Sequence, residues 1–329
     1  MIIMYINMSK IDVKDRKILY ELDINARQSY SQIGRKVGLT KNAVANRVKK
    51  LENEGVIQNY YTVIDSFKLG YFVLRFYAKF QYTTPAIESE IIEYLKKCKN
   101  IFVIDSILEK YDLSVILWVK SIKNFFILWS DILNRYGDYF QDQVLSFFIT
   151  ADSYRSTYLI NKYKRESNEI FDVTGCGEIK KINDLDFKIL QLIASNARMP
   201  ITEIAKKLNS TTAQIKYRIE KLIKMDIIQG FRVNINIIKF GYQWYKIDIQ
   251  LREYKKRSKI IEYIKTNPYL LCVMTTTGLS HLELEFHLEN MNLIYEIMKD
   301  IKDKFPNAIK NYSFFSIRQS HKLCYMPEI

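Results

Sequence analysis

Residues 29–57 read SYSQIGRKVGLTKNAVANRVKKLENEGVI, and this stretch contains the signals for two helices. Ser29 and Gln32 have the spacing of a capping box, which predicts that a helix begins directly after Ser29. Thr40 is a good N-cap for a second helix, and Gly55 is a residue at which such a helix ends. Two helices joined by a short turn that contains glycine predict a helix-turn-helix.

The flanking residues complete a winged version of this motif. Residues 14–22 carry apolar side chains at helical spacing, so they predict a helix before the quoted stretch. Residues 56–63 are rich in branched and aromatic side chains and predict a strand, the wing, after it. Three helices followed by a wing are typical of DNA-binding domains.

The chain contains an internal repeat. Shifting the sequence by 171 positions places residues 10–71 on residues 181–242 without a gap, and about a third of the aligned pairs are identical. Two copies of one two-domain unit therefore fill the 329 residues. The predicted domains are a winged helix-turn-helix over residues 10–64, an α+β domain over 65–160, a linker over 161–180, a second winged helix-turn-helix over 181–235 and a second α+β domain over 236–329.

The second half of each copy has the periodicity of strands that alternate with helices. The order in copy 1 is βαββαβ, which predicts a ferredoxin-like α+β sandwich, and copy 2 repeats that order. An additional strand is expected after each sandwich, over residues 154–161 and 321–326. The linker is polar and contains Gly175 and Gly177, so we expect a flexible connector.

The charge balance favours a polyanionic partner. The sequence has 50 Lys and Arg against 36 Asp and Glu, a formal net charge of +14, which suits nucleic acid or an anionic membrane surface. A merely basic composition explains the total equally well, so the position of the charge matters. The repeats carry +5 (12 basic minus 7 acidic) over residues 10–71 and +6 (11 basic minus 5 acidic) over residues 181–242.

The third helix of copy 1 has a polar face opposite its apolar face. At 100° per residue, Val44, Val48 and Leu51 define a buried side, and amide and amine side chains project from the other. Amides suit base edges in the major groove, and flanking Lys and Arg suit phosphates. The alternative is an ordinary solvated helix face. The predicted DNA contacts of copy 1 are Thr40, Lys41, Asn42, Asn46, Arg47, Lys49 and Lys50.

In copy 2 the equivalent helix keeps its apolar side but changes the polar one. Tyr217 and Glu220 stand where copy 1 has Asn46 and Lys49. A carboxylate repels phosphates, although it accepts hydrogen bonds from a cytosine amino group. Copy 2 therefore either reads a different half-site, which we favour, or has a structural role. The predicted contacts of copy 2 are Thr212, Gln214, Tyr217, Arg218 and Lys221.

Other classes of protein fit the sequence poorly. No apolar stretch reaches the roughly 18 uncharged residues of a membrane span, and residues 1–8 are too short for a secretory signal, so we expect a cytoplasmic protein. The four cysteines lack a CxxC pair, which argues against a disulfide framework and a structural zinc site; they are Cys98, Cys176, Cys272 and Cys324. No Walker-type or GxGxxG loop exists, and we predict no metal and no cofactor.

The motifs, in this order, resemble the Lrp/AsnC family of transcriptional regulators. The residues that carry the resemblance are Asp15-x-Lys17-Ile18-Leu19, Asn25-Ala26-Arg27, Val37-Gly38-Leu39-Thr40, Arg47-Val48-x-x-Leu51-Glu52-x-Glu54-Gly55-Val56-Ile57 and Lys68-Leu69-Gly70-Tyr71. The family uses its third helix to bind DNA, and its βαββαβ module, often called RAM, dimerises and in many members senses amino acids. The resemblance therefore implies a DNA-binding transcriptional regulator without catalytic activity.

The resemblance also implies an effector loop, which in the family usually reads Thr-Gly-x-Tyr-Asp between the second and third strands. Copy 1 lacks the Thr-Gly half of that motif, and copy 2 lacks the Tyr-Asp half. One amino-acid site shared between the copies is one interpretation, and two loops that bind nothing are the other. The candidate effector-binding residues are Tyr111, Asp112, Thr277, Gly278, Ser280 and His281.

Three interpretations of the whole chain stay open. In the favoured one, copy 1 and copy 2 pair within one chain as a covalent pseudo-dimer that binds an imperfect palindrome, with or without further homo-oligomerisation. Siroheme decarboxylases of haem biosynthesis are similar to Lrp/AsnC proteins but typically carry a His-Asn-Tyr run, where this chain has Phe-Val-Ile-Asp at residues 102–105 and Cys-Val-Met-Thr at residues 272–275. The third interpretation is an assembly or corepressor module that does not bind DNA.

Overall fold

The computed structural model describes residues 11–160, 165–166, 171–175 and 177–327. The segment considered above as a signal, residues 1–8, and Cys176 lie outside the described residues. Within them the chain is α+β, with helices α1 Val13–Ile24, α2 Tyr30–Val37, α3 Lys41–Asn53, α4 Pro85–Lys97, α5 Ile122–Tyr136, α6 Asp184–Ala194, α7 Ile201–Lys207, α8 Thr212–Lys224, α9 Arg257–Ile264 and α10 Asn292–Lys304. The strands are β1 Ile57–Ile64, β2 Phe72–Phe80, β3 Ile101–Glu109, β4 Leu113–Val119, β5 Phe140–Tyr154, β6 Phe171–Gly175, β7 Ile228–Ile235, β8 Gln243–Leu251, β9 Leu270–Gly278, β10 Leu282–Leu288 and β11 Ile309–Leu323.

The predicted helix starts of copy 1 are confirmed. The Ser29 hydroxyl accepts a hydrogen bond from the Gln32 backbone N–H, and the Gln32 side chain accepts one from the Ser29 N–H, which closes the capping box. Thr40 caps α3 by accepting from the Ala43 N–H at 3.2 Å. Such caps satisfy backbone donors that the first helical turn leaves without partners.

The turn between the second and third helices has the same backbone shape in both copies. Gly38 has φ of +67°, and its equivalent Asn209 has φ of +48°. Glycine and asparagine are the residues that most readily adopt this left-handed conformation. Copy 2 therefore keeps the turn although its sequence differs there.

The wings of the two copies pair with each other. Strands β1 and β7 form a two-stranded antiparallel sheet in which Tyr61 lies opposite Arg232. The same contacts recur in both directions: the Ala26 N–H donates to the Phe231 carbonyl at 2.8 Å, and the Ala197 N–H donates to the Tyr60 carbonyl at 2.9 Å. The two helix-turn-helix units are thus joined by reciprocal contacts within one chain.

The strands of the two βαββαβ modules also pair across the copies. Each module has the strand order 4-1-3-2, as β5-β2-β4-β3 in copy 1 and β11-β8-β10-β9 in copy 2. Pairs β3–β11 and β5–β9 join the modules, and β2 also pairs with β5. Eight strands therefore close into a ring, with the helices packed on its outer face and β6 added to the last five residues of β5.

Three expectations about the ends of the modules were wrong. The strand expected over residues 154–161 does not form in the described residues, because β5 ends at Tyr154 and a 3₁₀ turn follows at Thr157–Ile160; residue 161 lies outside the described residues. Residues 321–326 are not a separate strand, because β11 runs unbroken to Leu323 and pairs first with β8 and then with β3. The connector is not flexible where it is described: β6 is a strand of the main sheet, and Asp172 in it is buried.

Candidate DNA-binding surface and candidate effector site

Helix α3 presents the predicted polar face to solvent. Val44, Val48 and Leu51 are buried in the core of the first helix-turn-helix, as their angular positions predict. This burial fixes the rotation of the helix, so the opposite side chains point outward. Six of the seven predicted contacts of copy 1 are exposed, namely Thr40, Lys41, Asn42, Asn46, Lys49 and Lys50.

The seventh, Arg47, is held within the protein. Its guanidinium lies 2.7 Å from carboxylate oxygens of both Asp12 and Asp15, and Asp15 is buried at the start of α1. Hydrogen bonds from Arg47 to Asp12 and Asp15 raise the pKa of the Arg47 guanidinium above its ordinary value. Arg47 therefore links α3 to α1, and its charge is already paired.

Helix α8 has the same arrangement with different side chains. Ile215, Ile219 and Leu222 are buried, and Arg218 lies 3.5 Å from the buried Asp186 of α6. The Arg218–Asp186 pair is the equivalent of Arg47–Asp15, so both copies use this arginine to join the first and third helices. The remaining predicted contacts of copy 2 are Thr212, Gln214 and Tyr217, which are exposed, and Lys221, which is half-buried.

The negative charge of Glu220 on the polar face of α8 is partly offset by a nearby lysine. Glu220 is exposed and lies 4.0 Å from Lys216, one helical turn earlier. Tyr217 is 62% exposed, so its ring and hydroxyl are accessible. The surface of copy 2 is therefore less basic than that of copy 1 but still offers polar and aromatic groups.

Both predicted effector loops use their key side chains internally. The Asp112 carboxylate lies 2.8 Å from the Lys79 ammonium and accepts from the Phe80 N–H at 2.8 Å. At the equivalent position of copy 2, His281 Nδ1 accepts from the Leu251 N–H at 2.9 Å. These two side chains therefore hold their loops against the first strand of each module.

The other candidate effector residues divide into buried and exposed ones. Tyr111 is buried and stacked on Tyr77, and Ser280 is buried with hydrogen bonds to Thr276 and Glu283. Thr277 and Gly278 are exposed. Across the described part of the chain, no hydrogen bond joins Asp112 to Thr277 or Gly278, so the shared site is not assembled through such contacts.

A buried group of charges lies inside the ring and was not predicted from the sequence. Arg75 Nη1 lies 2.9 Å from Glu283 and its Nη2 lies 3.1 Å from Glu285, while Lys246 contacts Glu283 at 2.8 Å and also Asp248. Although burial acts to raise it, Lys246 and Arg75 hold the pKa of Glu283 below its ordinary value. The signal in the sequence was charge at alternate positions of otherwise apolar strands.

No group of three or more His, Cys, Asp or Glu side chains among the described residues could hold a metal ion. No helix in the same residues is both long enough and apolar enough to cross a membrane.

Two family models match the helix-turn-helix regions. Residues 11–52 match the AsnC-type helix-turn-helix domain, and residues 182–229 match a winged helix-turn-helix DNA-binding domain. Each match falls on one copy of the repeat, so the two copies are recognised independently.

Similar proteins are named transcriptional regulators. An uncharacterized HTH-type transcriptional regulator of Pyrococcus furiosus is 41% identical over 98 residues, which are 30% of this chain and 66% of that protein. An HTH-type transcriptional regulator of Methanocaldococcus jannaschii is 32% identical over 114 residues, which are 35% of this chain and 76% of that protein. An uncharacterized one of Pyrococcus horikoshii is also 32% identical, over 35% of this chain and 71% of its own length.

A similarity to solved structures extends over almost the whole chain. The siroheme decarboxylase NirDL superposes with a TM-score of 0.63 and covers 96% of this chain and 94% of its own, at 13% sequence identity. This similarity shows a shared fold, whereas the similar sequences described above are those of transcriptional regulators. The protein therefore belongs to the Lrp/AsnC family of transcriptional regulators, within which it carries the family's two-domain unit twice.

Proposed function

We propose that this regulator binds DNA as a covalent pseudo-dimer, with α3 and α8 reading two unequal half-sites of one operator. The observation that carries the proposal is the antiparallel pairing of β1 with β7, which ties the two helix-turn-helix units together. Two readers with a fixed separation contact two half-sites on one face of the duplex, as symmetric dimers do. The two polar faces differ, so the half-sites differ too.

Reciprocal arginine contacts support a fixed distance between the readers. Arg27 donates to the Ala197 carbonyl at 2.6 Å, and its equivalent Arg198 donates to the carbonyl of Ala26. Both arginines lie in the Asn-Ala-Arg sequence that the copies share. Each unit thus holds the backbone of the other through hydrogen bonds from a charged group, which are the stronger kind.

The exposed side chains divide into two roles under this proposal. Asn42 and Asn46 in copy 1 and Gln214 and Tyr217 in copy 2 contact base edges. Phosphates are contacted by the remaining exposed or half-exposed groups, which are Thr40, Lys41, Lys49, Lys50, Thr212 and Lys221. Arg47 and Arg218 position the helices through their ion pairs with α1 and α6.

Selection of DNA from a random library by the intact chain tests the proposal. We expect an imperfect palindrome whose half-sites are about 10 base pairs apart or a multiple of that distance. The affinity of the selected site should fall steeply with salt, because phosphate contacts release counterions. The variants Asn42→Ala/Asn46→Ala and Gln214→Ala/Tyr217→Ala should each weaken binding about 5- to 150-fold and relax specificity in one half-site only.

The control variant is Asn292→Ala/Lys299→Ala, which alters exposed residues of α10 and should leave affinity unchanged. Loss of affinity in the copy 1 variant alone would make copy 2 structural. Wild-type affinity in both variants would contradict the assignment of the readers. No DNA binding by the intact chain at low salt would favour an assembly or corepressor module.

We also propose that a small molecule regulates the affinity of the protein for DNA. Thr277 and Gly278 are the exposed part of the predicted loops, and an amino acid that binds there should alter operator affinity. Titration of the protein–operator complex with each amino acid tests this, and Thr277→Ala should abolish any response that depends on the loop. We also propose a cytoplasmic location, where such a regulator meets DNA.

The siroheme decarboxylase alternative has a shared fold in its favour and side-chain chemistry against it. All three histidines have partners inside the protein: His281 accepts from the Leu251 N–H, His287 contacts the Tyr158 hydroxyl and His321 contacts the Ser106 hydroxyl. Incubation of the protein with siroheme under reducing and oxidising conditions tests the alternative. We expect no decarboxylated product.

A further inference from the structure

The interior of the eight-stranded ring has two ends, and equivalent residues of copy 1 and copy 2 lie at them. In copy 1, Val73 of β2 lies opposite Trp118 of β4, and in copy 2 their equivalents Trp244 and His287 lie opposite each other. The second end is filled by protein. Tyr158 reaches into it, with its hydroxyl 2.8 Å from His287 Nδ1, and the Trp244 ring packs edge-on against the His287 ring.

The first end contains a cavity of about 240 Å³ instead. The small Val73 stands there at the position of Trp244 in copy 2. Residues of β1, the wing of copy 1, form one wall of the cavity. Aromatic rings form much of the lining: Phe102 stacks on Trp118 with centroids 3.7 Å apart, and Tyr61 stacks on Tyr325 at 4.5 Å. Flat apolar walls of this kind suit a flat apolar ligand.

The charged side chains in the lining of the cavity are Arg75 and Glu285. Arg75 is 3% exposed, and its Nε atom has no hydrogen-bond partner among the described residues. A buried donor without a partner costs free energy, so a ligand that accepts a hydrogen bond there is favoured. Glu285 is 14% exposed and its carboxylate is paired with Arg75 at 3.1 Å.

The charged groups around the cavity are already paired with one another. Arg75 contacts Glu283 and Glu285, and Lys246 contacts Glu283 and Asp248. Burial of an additional unpaired charge costs several kcal/mol, about 3–5 where a pair is broken. A ligand without net charge is therefore favoured over an anion or a cation.

We infer that this cavity is a binding site for one flat aromatic molecule of one or two rings, without net charge and with a hydrogen-bonding group at its edge. A dry cavity of about 150 Å³ accepts benzene, so the larger volume here suits a bicyclic ring. The site occurs once per chain, because protein side chains fill the equivalent space in copy 2. The inference does not depend on DNA binding, since it concerns a cavity away from both polar helix faces.

Calorimetric titration of the intact chain with indole tests the inference. We expect one molecule bound per chain, with a dissociation constant between about 1 μM and 1 mM. Indole-3-acetate, an anion, and tryptamine, a cation, should bind at least tenfold more weakly than indole. Equal or tighter binding of a charged probe would overturn the requirement for a neutral ligand.

The variant Val73→Trp introduces the side chain that fills the other end and should weaken indole binding at least tenfold. Ser153→Phe fills the same cavity from β5 and serves if the first variant does not fold. The matched control is Trp244→Phe in the filled end, which should leave the affinity within twofold. The inference is overturned if wild type binds no indole at millimolar concentration, or if both filled variants bind it normally.

Discussion

The two sides of the pseudo-symmetric molecule are held together by different chemistry. On one side, Asp23 of α1 is buried in contact with Arg232 of β7, and Arg155 pairs with Asp172 of β6. The equivalents of Asp23 and Arg232 are Ala194 and Tyr61, so the other side has an aromatic stack beside the cavity. In a homodimer both sides must be identical, whereas in a duplicated chain they can differ. Here the side with the buried Asp23–Arg232 pair, called the locked side below, is held by ion pairs, and the other side contains the cavity.

Removal of a buried charge on the locked side should lower the free energy of unfolding more than any other change discussed here. Asp23 accepts hydrogen bonds from Arg232 Nε at 2.7 Å, from Arg232 Nη2 at 3.0 Å and from the Ser156 N–H at 2.7 Å. Asp23→Ala leaves the buried Arg232 guanidinium without its nearest carboxylate, with only the Tyr154 carbonyl at 2.7 Å and Asp172 at 3.8 Å remaining, so the free energy of unfolding should fall by about 3–5 kcal/mol. Urea denaturation monitored by circular dichroism measures it.

Two further variants sharpen this first prediction. Asp303→Ala alters an exposed aspartate of α10, and it should change the free energy of unfolding by less than about 0.5 kcal/mol. The double variant Asp23→Leu/Arg232→Met removes both charges and should recover most of the loss. A loss below about 1 kcal/mol in Asp23→Ala would mean that the ion pair does not stabilise the locked side.

The filled end of the ring should lose stability in mild acid through a buried histidine, a group that the end with the cavity lacks. Burial lowers the pKa of His287 to about 3, while an unfolded histidine has a pKa of about 6.5. The unfolded state therefore takes up the proton first as the pH falls, and stability is lost between about pH 6.5 and pH 3. Trp118, the equivalent residue beside the cavity, has a side chain that does not titrate in this pH range.

The histidine contribution can be isolated by substitution. Between pH 7.5 and pH 5 the wild type should lose about 2 kcal/mol more than His287→Gln does. Tyr158→Phe keeps the histidine buried but removes its hydroxyl partner, so this variant should keep most of the pH dependence. Equal losses in wild type and His287→Gln would show that His287 is protonated without unfolding the filled end.

The sequence predicted those features that depend on short stretches of chain. The capping box of α2, the N-cap Thr40 and the buried face of α3 follow from local spacing, and each is confirmed. The order of elements in both βαββαβ modules follows in the same way. Such features require only residues within one or two turns of each other.

Features that join distant residues were not predictable in the same way. The long strands β5 and β11 each pair with their own module and then with the other, and no local pattern marks the change of partner. The assignment of Arg47 to phosphate overlooked its pairing with Asp15. A signal was present, because the repeat conserves both residues as Arg218 and Asp186 at the same separation.

Substitutions in the loops between the second and third strands of each module should change the free energy of unfolding less than those above. Glu109 has φ of +97° and its equivalent Gly278 has φ of +110°, a region that side chains rarely adopt. Glu109→Gly relieves this strain at an exposed position and should raise the free energy of unfolding by about 0.5–1 kcal/mol. Gly278→Ala should lower it instead, because its Cβ would lie 2.6 Å from the Leu145 carbonyl oxygen. Urea denaturation of both variants at one pH measures these changes. If Glu109→Gly raises the free energy of unfolding and Gly278→Ala lowers it, the two loops share one backbone conformation. A lower free energy of unfolding in Glu109→Gly would mean that the glutamate side chain itself stabilises its loop.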